Sequence, residues 1–210
     1  MNNLIIIPAR KNSVRLKNKN ILKIKNKTLI EHTIIFAKKV LPNNNILVTT
    51  DSGKIRDIAI KKKILCPGLR PKKLSTSKAT SESVILHALK WYEKKNSIVD
   101  FVILLQPTSP YRSKQTYFSC INKAKKNPNS TVITFKKKKT NIFLNKKNKI
   151  QERIIEYLVP NGSIYIISGK KLKKYKKFYS GIIKPHIVES EKENIDIDYK
   201  KDYIVAKKIL

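Results

Sequence analysis

Hydrophobic and polar positions along the chain follow two periods in turn, one typical of buried strands and one typical of helices. Short, largely apolar runs predict strands at 4–7, 46–50, 64–66, 100–105, 131–135, 162–167 and 182–188. Apolar residues at helical spacing predict helices after residue 28, at 55–62, from 81 onward, and at 115–124, 170–177 and 200–210. This alternation predicts an α/β fold with a doubly wound, mostly parallel sheet.

Local signals mark where one helix begins and where the sheet ends. Thr28 and Glu31 have the spacing of a capping box ahead of the first helix. Pro185 cannot donate a ladder hydrogen bond, so it favours an edge position for the last strand. Between 136 and 156 the pattern gives way to Lys, Asn and Thr, and we interpret about 136–160 as an excursion from the sheet. With 210 residues, 40% of them apolar, the chain fits a single domain, 1–210, with one full core.

The first apolar run ends at Pro8-Ala9 in a basic loop that extends from Arg10 to Asn20. Such a loop presents free backbone amides and charged side chains at the carboxyl end of a strand, which is where α/β sheets bind ligands. We therefore expect a triphosphate to bind here. The loop indicates an enzyme that handles nucleotides.

Two aspartates near the carboxyl terminus have the spacing of a cation site. In an extended segment Asp196 and Asp198 project from one face, while Ile195 and Ile197 point into the core. Two such carboxylates suit Mg²⁺, which binds carboxylates together with substrate phosphates in nucleotidyl transfer. Spacing alone supports equally well an exposed acidic turn in which an aspartate caps the last helix.

The formal net charge of +33 invites a nucleic-acid-binding interpretation, because basic domains release counterions from phosphates. The composition argues against it. The chain has 41 Lys, 6 Arg, 32 Ile and 18 Asn, and Lys, Ile and Asn share A/T-rich codons. Base-composition bias therefore accounts for the lysines, whereas arginine is the residue that recognises phosphates and bases in a bidentate manner. No specific nucleic-acid partner is expected.

The apolar segments are too short to span a bilayer, and the amino-terminal segment lacks the cleavage site of a secretory signal. A cytoplasmic protein with no membrane partner is therefore expected. Cys66 and Cys120 are far apart and have no Cys or His neighbour at ligand spacing. Neither a disulfide nor a zinc site is expected.

Several motifs, in order along the chain, are shared with one known family. They are Pro8-Ala9-Arg10 with Asn12-Ser13 and Lys19-Asn20; Thr50-Asp51; Arg70-Pro71 with Ala79 and Ser81; Leu104 to Pro110 with Arg112; Pro160 to Tyr165; and Asp196-Ile197-Asp198. Together they resemble the acylneuraminate cytidylyltransferases, which include the CMP-sialic acid synthetases and relatives that act on other nonulosonic acids. The similarity extends almost from end to end, and the order of the Q-P-T-S-P and N-G-x-I-Y segments makes it specific.

This resemblance implies a Rossmann-like nucleotidyltransferase fold and a reaction between CTP and a nine-carbon 2-keto sugar acid. The anomeric hydroxyl would attack the α-phosphorus and expel pyrophosphate. The residues implied to be catalytic are Arg10, Lys19 and Asp198. Those implied to bind CTP are Ala9, Arg10, Ser13, Lys19, Asn20, Arg70, Ala79, Ser81 and Gln106. Those implied to bind the sugar are Gln106, Thr108, Ser109, Asn161, Tyr165, Phe178 and Tyr179, and Mg²⁺ is the implied cofactor, held by Asp196 and Asp198.

Some positions depart from the family pattern. The family commonly has Lys, Pro, Asp and Arg at the positions of Val14, Lys17, Ser77 and Val159, respectively. The excursion at 136–160 is shorter than the family's usual arm, which builds a dimer. A homodimer is still expected, with CTP and a nonulosonic acid as substrates.

Other classes of protein remain as alternatives. A Kdo cytidylyltransferase carries an acidic residue in a Q-G-D-E-P type loop, whereas Gln106 is followed by Pro-Thr-Ser. Other sugar nucleotidyltransferases have a glycine-rich first loop, and residues 10–20 contain no glycine. An inactive family member and a basic nucleic-acid-binding protein are the alternatives from other classes. The last would bind nucleic acid with a steep salt dependence and without competition from CTP.

Overall fold

A six-stranded mixed sheet organises the chain in the computed structural model, which describes residues 1–146 and 149–209. The strands are β1 (Asn3–Pro8), β2 (Lys23–Ile24), β3 (Lys27–Thr28), β4 (Ile46–Thr49), β5 (Phe101–Leu104), β6 (Thr131–Lys146), β7 (Lys149–Ser168) and β8 (Ile183–Ile187). The helices are α1 (Leu29–Lys38), α2 (Gly53–Lys61), α3 (Ser81–Glu93), α4 (Lys114–Lys126), α5 (Gly169–Tyr175) and α6 (Lys200–Lys208). Within the described ranges, no helix is long and apolar enough to cross a membrane.

Strand order in the sheet is β4-β1-β5-β7-β6-β8. β1 is parallel to β4 and β5, and β6 is parallel to β8. β7 is antiparallel to both of its neighbours, β5 and β6. The short strands β2 and β3 form a separate antiparallel pair. The predicted α/β class with a mostly parallel sheet is confirmed.

Alternate residues of the central strands enter two apolar cores, one on each face of the sheet. Ile5 and Ile7 pack with residues of α1, α2 and α4, whereas Leu4 and Ile6 pack with residues of α3 and α5. All four side chains are fully buried, and each such burial stabilises the fold by roughly 1.5–3 kcal/mol. Because both faces are covered, the carboxyl ends of β1, β4 and β5 form one accessible edge.

Two local expectations are confirmed. Thr28 Oγ1 accepts a hydrogen bond from Glu31 N at 3.3 Å, and Glu31 Oε2 accepts one from Thr28 N at 2.9 Å. These bonds form a capping box at the start of α1. β8, which contains Pro185, lies at the edge of the sheet.

The expected strand at 64–66 and the expected end of the last helix both differ from the structure. Residues 64–66 do not form a strand: Leu65 makes an isolated bridge to Leu47, and Pro67-Gly68 then turn the chain, with φ of 94° at the glycine. The prediction of a strand there is wrong because this apolar run is too short to form a ladder. The last helix ends at Lys208, and Leu210 lies outside the described residues.

The excursion at 136–160 is regular rather than irregular. β6 and β7 continue past the sheet as an antiparallel ribbon, with pairs from Phe135 with Pro160 to Lys146 with Lys149. Most ribbon side chains are exposed. Backbone pairing holds the ribbon together, so its strands need no alternation of buried and exposed side chains. Because hydrophobic periodicity in the sequence reports only burial, it did not reveal these strands.

A bulge separates the ribbon from the sheet. Ile133 pairs with Tyr165, whereas Phe135 pairs with Pro160, so the four residues 161–164 lie opposite Thr134. Bulges of this kind redirect side chains and are common beside active sites. The N-G-S-I part of the P-N-G motif is therefore the point at which β7 leaves its regular pairing.

Candidate active site

A cleft of about 390 Å³ opens at the carboxyl ends of β1 and β5. Its walls come from the basic loop after β1, the segment before α3, the loop after β5 and the segment before α6. The sequence-predicted residues that line it are Arg10, Ser13, Lys19, Asn20, Arg70, Ala79, Ser81, Gln106, Thr108, Asp196 and Asp198. The structure thus brings most of the expected site together from segments that are far apart in sequence.

The basic loop is fastened to the sheet at both ends. Ala9 is fully buried, and its amide donates to Thr49 O at 3.0 Å. Asn20 is also buried, and its side-chain amide donates to Arg10 O at 2.9 Å. Ala9 therefore lies beneath the loop, while Asn20 holds the loop closed and contributes to the cleft wall.

Asp198 joins the basic loop to the carboxyl-terminal segment. Lys19 Nζ donates to its Oδ1 and Arg15 Nη2 to its Oδ2, each at 2.6 Å. The Arg15 guanidinium also lies 5.1 Å from the centre of the Tyr199 ring. Asp202, not Asp198, accepts the amide of Tyr199 at the start of α6, at 2.7 Å. The alternative of an acidic turn in which one aspartate of the pair caps the last helix is therefore wrong.

Asp196 is mostly buried beside Asp198. Burial raises the pKa of its carboxyl group, opposed by a hydrogen bond from Thr108 and by the charges of Lys19 and Lys136. Within the described part of the chain, Asp196 Oδ1 has no hydrogen-bond partner. An unpartnered carboxylate oxygen at a cleft fits a hard cation such as Mg²⁺. Among the same residues no group of three or more His, Cys, Asp or Glu could hold a metal, so any ion would need further oxygens from substrate.

Asp51 links the basic loop to Arg70. Its Oδ1 accepts the amide of Lys11 at 2.7 Å and lies 3.6 Å from Arg70 Nη2. Burial lowers the pKa of the Arg70 guanidinium, and the charge of Asp51 opposes that effect. The Thr50-Asp51 motif was the sequence signal for this contact, although no role for Asp51 could be predicted from it.

Two of the residues implied to bind sugar lie beneath the cleft. Ser109 and Asn161 are fully buried; Ser109 Oγ donates to Asn161 O at 3.1 Å, and Thr134 Oγ1 donates to Asn161 Oδ1 at 2.6 Å. Gly162 follows with φ of 74°, and a Cβ there would lie 3.0 Å from both Gln106 Oε1 and Ser109 Oγ. The bulge therefore requires glycine and brings its backbone against the Gln106 side chain.

The remaining residues implied to bind sugar form an aromatic group. Tyr165 packs against Phe178 and Tyr179, with ring centres 5.8 and 6.4 Å away. Phe178 is buried, whereas Tyr179 is half exposed. Burial raises the pKa of the Tyr165 hydroxyl, and the neighbouring Tyr179 hydroxyl and the charges of Asp196 and Glu82 raise it further. Among the three, Tyr179 has the surface that a ligand could reach.

Comparison with known proteins gives a consistent assignment. The cytidylyltransferase family model matches residues 4–208. The CMP-N,N'-diacetyllegionaminic acid synthase of Legionella pneumophila is 32% identical over 99% of this chain and 95% of that protein. The N-acylneuraminate cytidylyltransferase of Escherichia coli O18:K1:H7 is 32% identical over 97% of this chain and 51% of that protein.

A solved structure of similar fold is that of CMP:2-keto-3-deoxy-manno-octonic acid synthetase complexed with CTP. It has a TM-score of 0.71 at 15% sequence identity, and the match covers 100% of this chain and 98% of that one. At this identity the likeness supports the nucleotidyltransferase fold alone. The family model and the full-length similarity to the Legionella enzyme go further, and the chain belongs to the cytidylyltransferase family.

Proposed function

We propose that this cytidylyltransferase joins CTP to the anomeric hydroxyl of a nonulosonic acid, giving a CMP-sugar and pyrophosphate. The observation that carries the proposal is that Arg10, Lys19 and Arg70 line the same cleft as Asp196 and Asp198. Relatives that match most of this chain are a CMP-N,N'-diacetyllegionaminic acid synthase and an N-acylneuraminate cytidylyltransferase. Because the first of these matches along nearly its whole length, a legionaminate-type acid is the substrate we propose first.

Positioning and charge neutralisation supply most of the catalysis in this class of reaction, since little covalent chemistry falls to the protein. Arg10 and Lys19 neutralise the triphosphate and the departing pyrophosphate. The Lys19 side chain is only 12% exposed, so water screens its charge weakly. Ser13 and the loop amides hold phosphate oxygens by hydrogen bonds.

Cytidine recognition falls to the walls of the cleft. Asn20 and Arg70 lie on the side of the basic loop, with Ala79 and Ser81 at the start of α3 and Gln106 after β5. Ala79 offers a small surface for a flat base, and the amides around Ser81 and the Gln106 carboxamide offer hydrogen bonds. Gln106 also reaches toward Thr108 and the acid, so it borders both substrates.

Asp196 and Asp198 are the residues that would hold Mg²⁺. Bound there, the ion would neutralise phosphate charge and lower the pKa of the sugar hydroxyl. Asp196 has a free oxygen for this purpose, whereas Asp198 already accepts Lys19 and Arg15. Triphosphate oxygens would compete with Asp198 for Lys19 and Arg15. Because a side-chain cation shared between two anions binds each less tightly, Asp198 would become available to the metal ion.

On the acid side, Gln106 and Thr108 contact the sugar, and Tyr179 with Tyr165 and Phe178 beneath it forms an apolar wall. Ser109 and Asn161 act from below by fixing the bulge. An aromatic surface suits the acyl and side-chain carbons of a nine-carbon acid, which are its least polar part.

The whole chain acts as one catalytic domain in this proposal, and the ribbon is its dimerisation arm. Phe143, Ile150 and Ile154 are the most exposed apolar residues of the ribbon, at 67, 76 and 71%. The strand register places all three on one face of the ribbon. Single exposed apolar side chains are ordinary, but three on one face of a projecting ribbon favour a contact with a second copy.

The test is pyrophosphate release from CTP and Mg²⁺ with a panel of nonulosonic acids and Kdo, with no-acid and ATP controls. Turnover with CTP and one nonulosonic acid, absent with ATP, is the expected result. Turnover with Kdo alone would transfer the assignment to the Kdo enzymes. No turnover across the panel would contradict the proposal and favour an inactive family member or a basic binding protein.

A further inference from the structure

The six arginines are not spread evenly over this lysine-rich chain. Three of them, Arg10, Arg15 and Arg70, line the cleft. A fourth, Arg112, lies directly behind it, where its guanidinium contacts the main chain of Gln106. In a chain with 41 lysines, composition alone would place lysine at most basic positions. The concentration of arginine at one site indicates that these positions need a guanidinium group.

Arg112 is partly buried, and each nitrogen of its guanidinium has an acceptor. Nη2 donates to Gln106 O at 2.5 Å and Nε to Ser163 O at 2.9 Å. Nη1 donates to Thr33 Oγ1 at 3.4 Å, and the group lies 6.0 Å from the centre of the Phe36 ring. A lysine ammonium carries its donors on a single nitrogen, so it cannot contact three acceptors that lie around a planar guanidinium group.

This arrangement is costly, which argues that it serves a purpose. Burial lowers the pKa of Arg112 to about 9, opposed by the more distant charges of Asp196 and Glu193. Within residues 1–146 and 149–209, no carboxylate lies within ion-pair distance of its guanidinium. A desolvated cation without a direct counter-ion destabilises the fold unless its hydrogen bonds are complete.

The two main-chain carbonyls that Arg112 holds belong to two different segments, the loop after β5 and the bulge of β7. Gln106 follows β5, and its side chain lines the cleft. Ser163 follows Gly162 in the bulge of β7, where the glycine backbone packs against Gln106 Oε1. One guanidinium therefore fixes the distance between the Gln106 main chain and the bulge. The bulge in turn limits the positions that the Gln106 carboxamide can take.

We propose that Arg112 is a positioning residue that sets the orientation of the Gln106 carboxamide in the cleft. This inference rests on the proposed function, because Gln106 is expected to border both CTP and the acid. Arg112 touches neither substrate, so its effect on the reaction passes through Gln106.

The experiment is a double-mutant cycle on the transfer reaction. The variants are Arg112→Lys, Gln106→Ala and the double variant, and Arg56→Lys is the matched control. Arg56 is partly exposed on α2 and pairs with its neighbour Asp57. The measurements are kcat and KM for each substrate, calorimetric CTP binding, and the thermal unfolding midpoint. All kinetics are run well below the lowest thermal unfolding midpoint of the set, so that each variant is folded. Arg112→Gln, which keeps an amide donor, is the second variant at this position.

Arg112→Lys is expected to lower kcat/KM by about tenfold or more, as Gln106→Ala does, while Arg56→Lys stays within about twofold of the unmodified chain. The double variant is expected to be no more than about twofold worse than Gln106→Ala alone, since both changes act through one side chain. If Arg112 were merely structural, its substitution would lower the unfolding midpoint. Its loss of kcat/KM would then multiply with the loss caused by Gln106→Ala.

Multiplicative losses, or unchanged kinetics in both Arg112 variants, would overturn the inference and leave the proposed function standing. An unmodified chain that neither binds CTP nor turns over any acid would overturn both. Coupled losses, with the CTP and acid KM values changing in the same direction as in Gln106→Ala, support the inference.

Discussion

At the scale of single residues, the charge balance of the cleft depends on Asp198. Both of its oxygens are occupied by cations, Lys19 at Oδ1 and Arg15 at Oδ2. The sequence pattern predicted Asp198 as a metal ligand but gave no role to Arg15. Loss of this carboxylate would leave Lys19 without its partner in a poorly solvated position.

For this reason Asp198→Asn is expected to abolish the Mg²⁺-dependent part of turnover, with a loss of about two orders of magnitude or more in kcat. Calorimetric CTP binding should change much less, because Arg10, Lys19 and Arg70 remain. Turnover is measured over a range of Mg²⁺ concentrations. Asp57→Asn, at an exposed carboxylate on α2, is the control. Near-normal activity with the same Mg²⁺ dependence would rule out Asp198 as a metal ligand.

Whether the role of a single residue can be predicted depends on how far apart in sequence its contact partners lie. Arg10, Lys19, Arg70 and Asp198 could be named because they stand in recognisable motifs. The bonds from Lys11 to Asp51 and from Arg15 to Asp198 span 40 and 183 positions, and local pattern holds no information on such pairs. Arg112 stood beside the Leu104 to Pro110 motif, but only the rarity of arginine in so lysine-rich a chain offered a signal for Arg15.

At the scale of elements, predictability depended on burial and on local capping chemistry. The start of α1 was predictable because Thr28 and Glu31 satisfy each other within three positions. The ribbon was predictable only as an interruption, because its strands bury little and therefore show no period. The bulge at 161–164 was visible as a motif but not as a bulge, since side-chain hydrogen bonds with distant Thr134 help to set its geometry.

The capping box also carries a pH dependence. Burial opposes ionisation of Glu31, but the hydrogen bonds from Thr28 and the charge of Lys62 outweigh it and lower the pKa. A lowered carboxyl pKa contributes stability above the unfolded value of about 4.3, and this stability is lost as pH falls through the folded value. Glu31→Gln is therefore expected to lower the free energy of unfolding by about 0.5–1 kcal/mol at pH 7.

The measurement is urea unfolding at pH 7 and near pH 3, with Glu189→Gln as an exposed control. The difference between Glu31→Gln and the unmodified chain should shrink toward zero at the lower pH. An equal difference at both pH values would mean that the Glu31 charge contributes nothing to the cap.

At the scale of the whole molecule, charge and apolar surface oppose each other in self-association. Each copy carries a formal charge of +33, which repels a second copy, while the exposed apolar face of the ribbon favours contact. Salt screens the repulsion over about 10 Å at 0.1 M and leaves apolar contact largely unaffected. The proposed homodimer should therefore be more stable at moderate than at low ionic strength.

Light scattering after gel filtration should give twice the 24.3 kDa chain mass for the unmodified protein. Ile154→Glu should shift the mass toward a single chain at micromolar concentration, because a carboxylate in the apolar face would lose water on association. Ile60→Glu, at an exposed apolar position on α2, is the control and should leave the mass unchanged. A single-chain mass for the unmodified protein at moderate salt would contradict the dimer.

β7 contributes both to the region of the cleft and to the ribbon, and the bulge allows these two parts of the strand to change separately. Its inner half carries Tyr165, its outer half belongs to the ribbon, and the bulge that contains Asn161 lies between them. Adding or deleting one residue in each ribbon strand would alter the ribbon's reach and leave the pairing of the inner half intact. A single unmatched residue in one strand would shift its register and move the side chains of that strand to the opposite face. Descendants of this chain could thus vary the ribbon, and with it the proposed dimer contact, without disturbing the residues of the cleft.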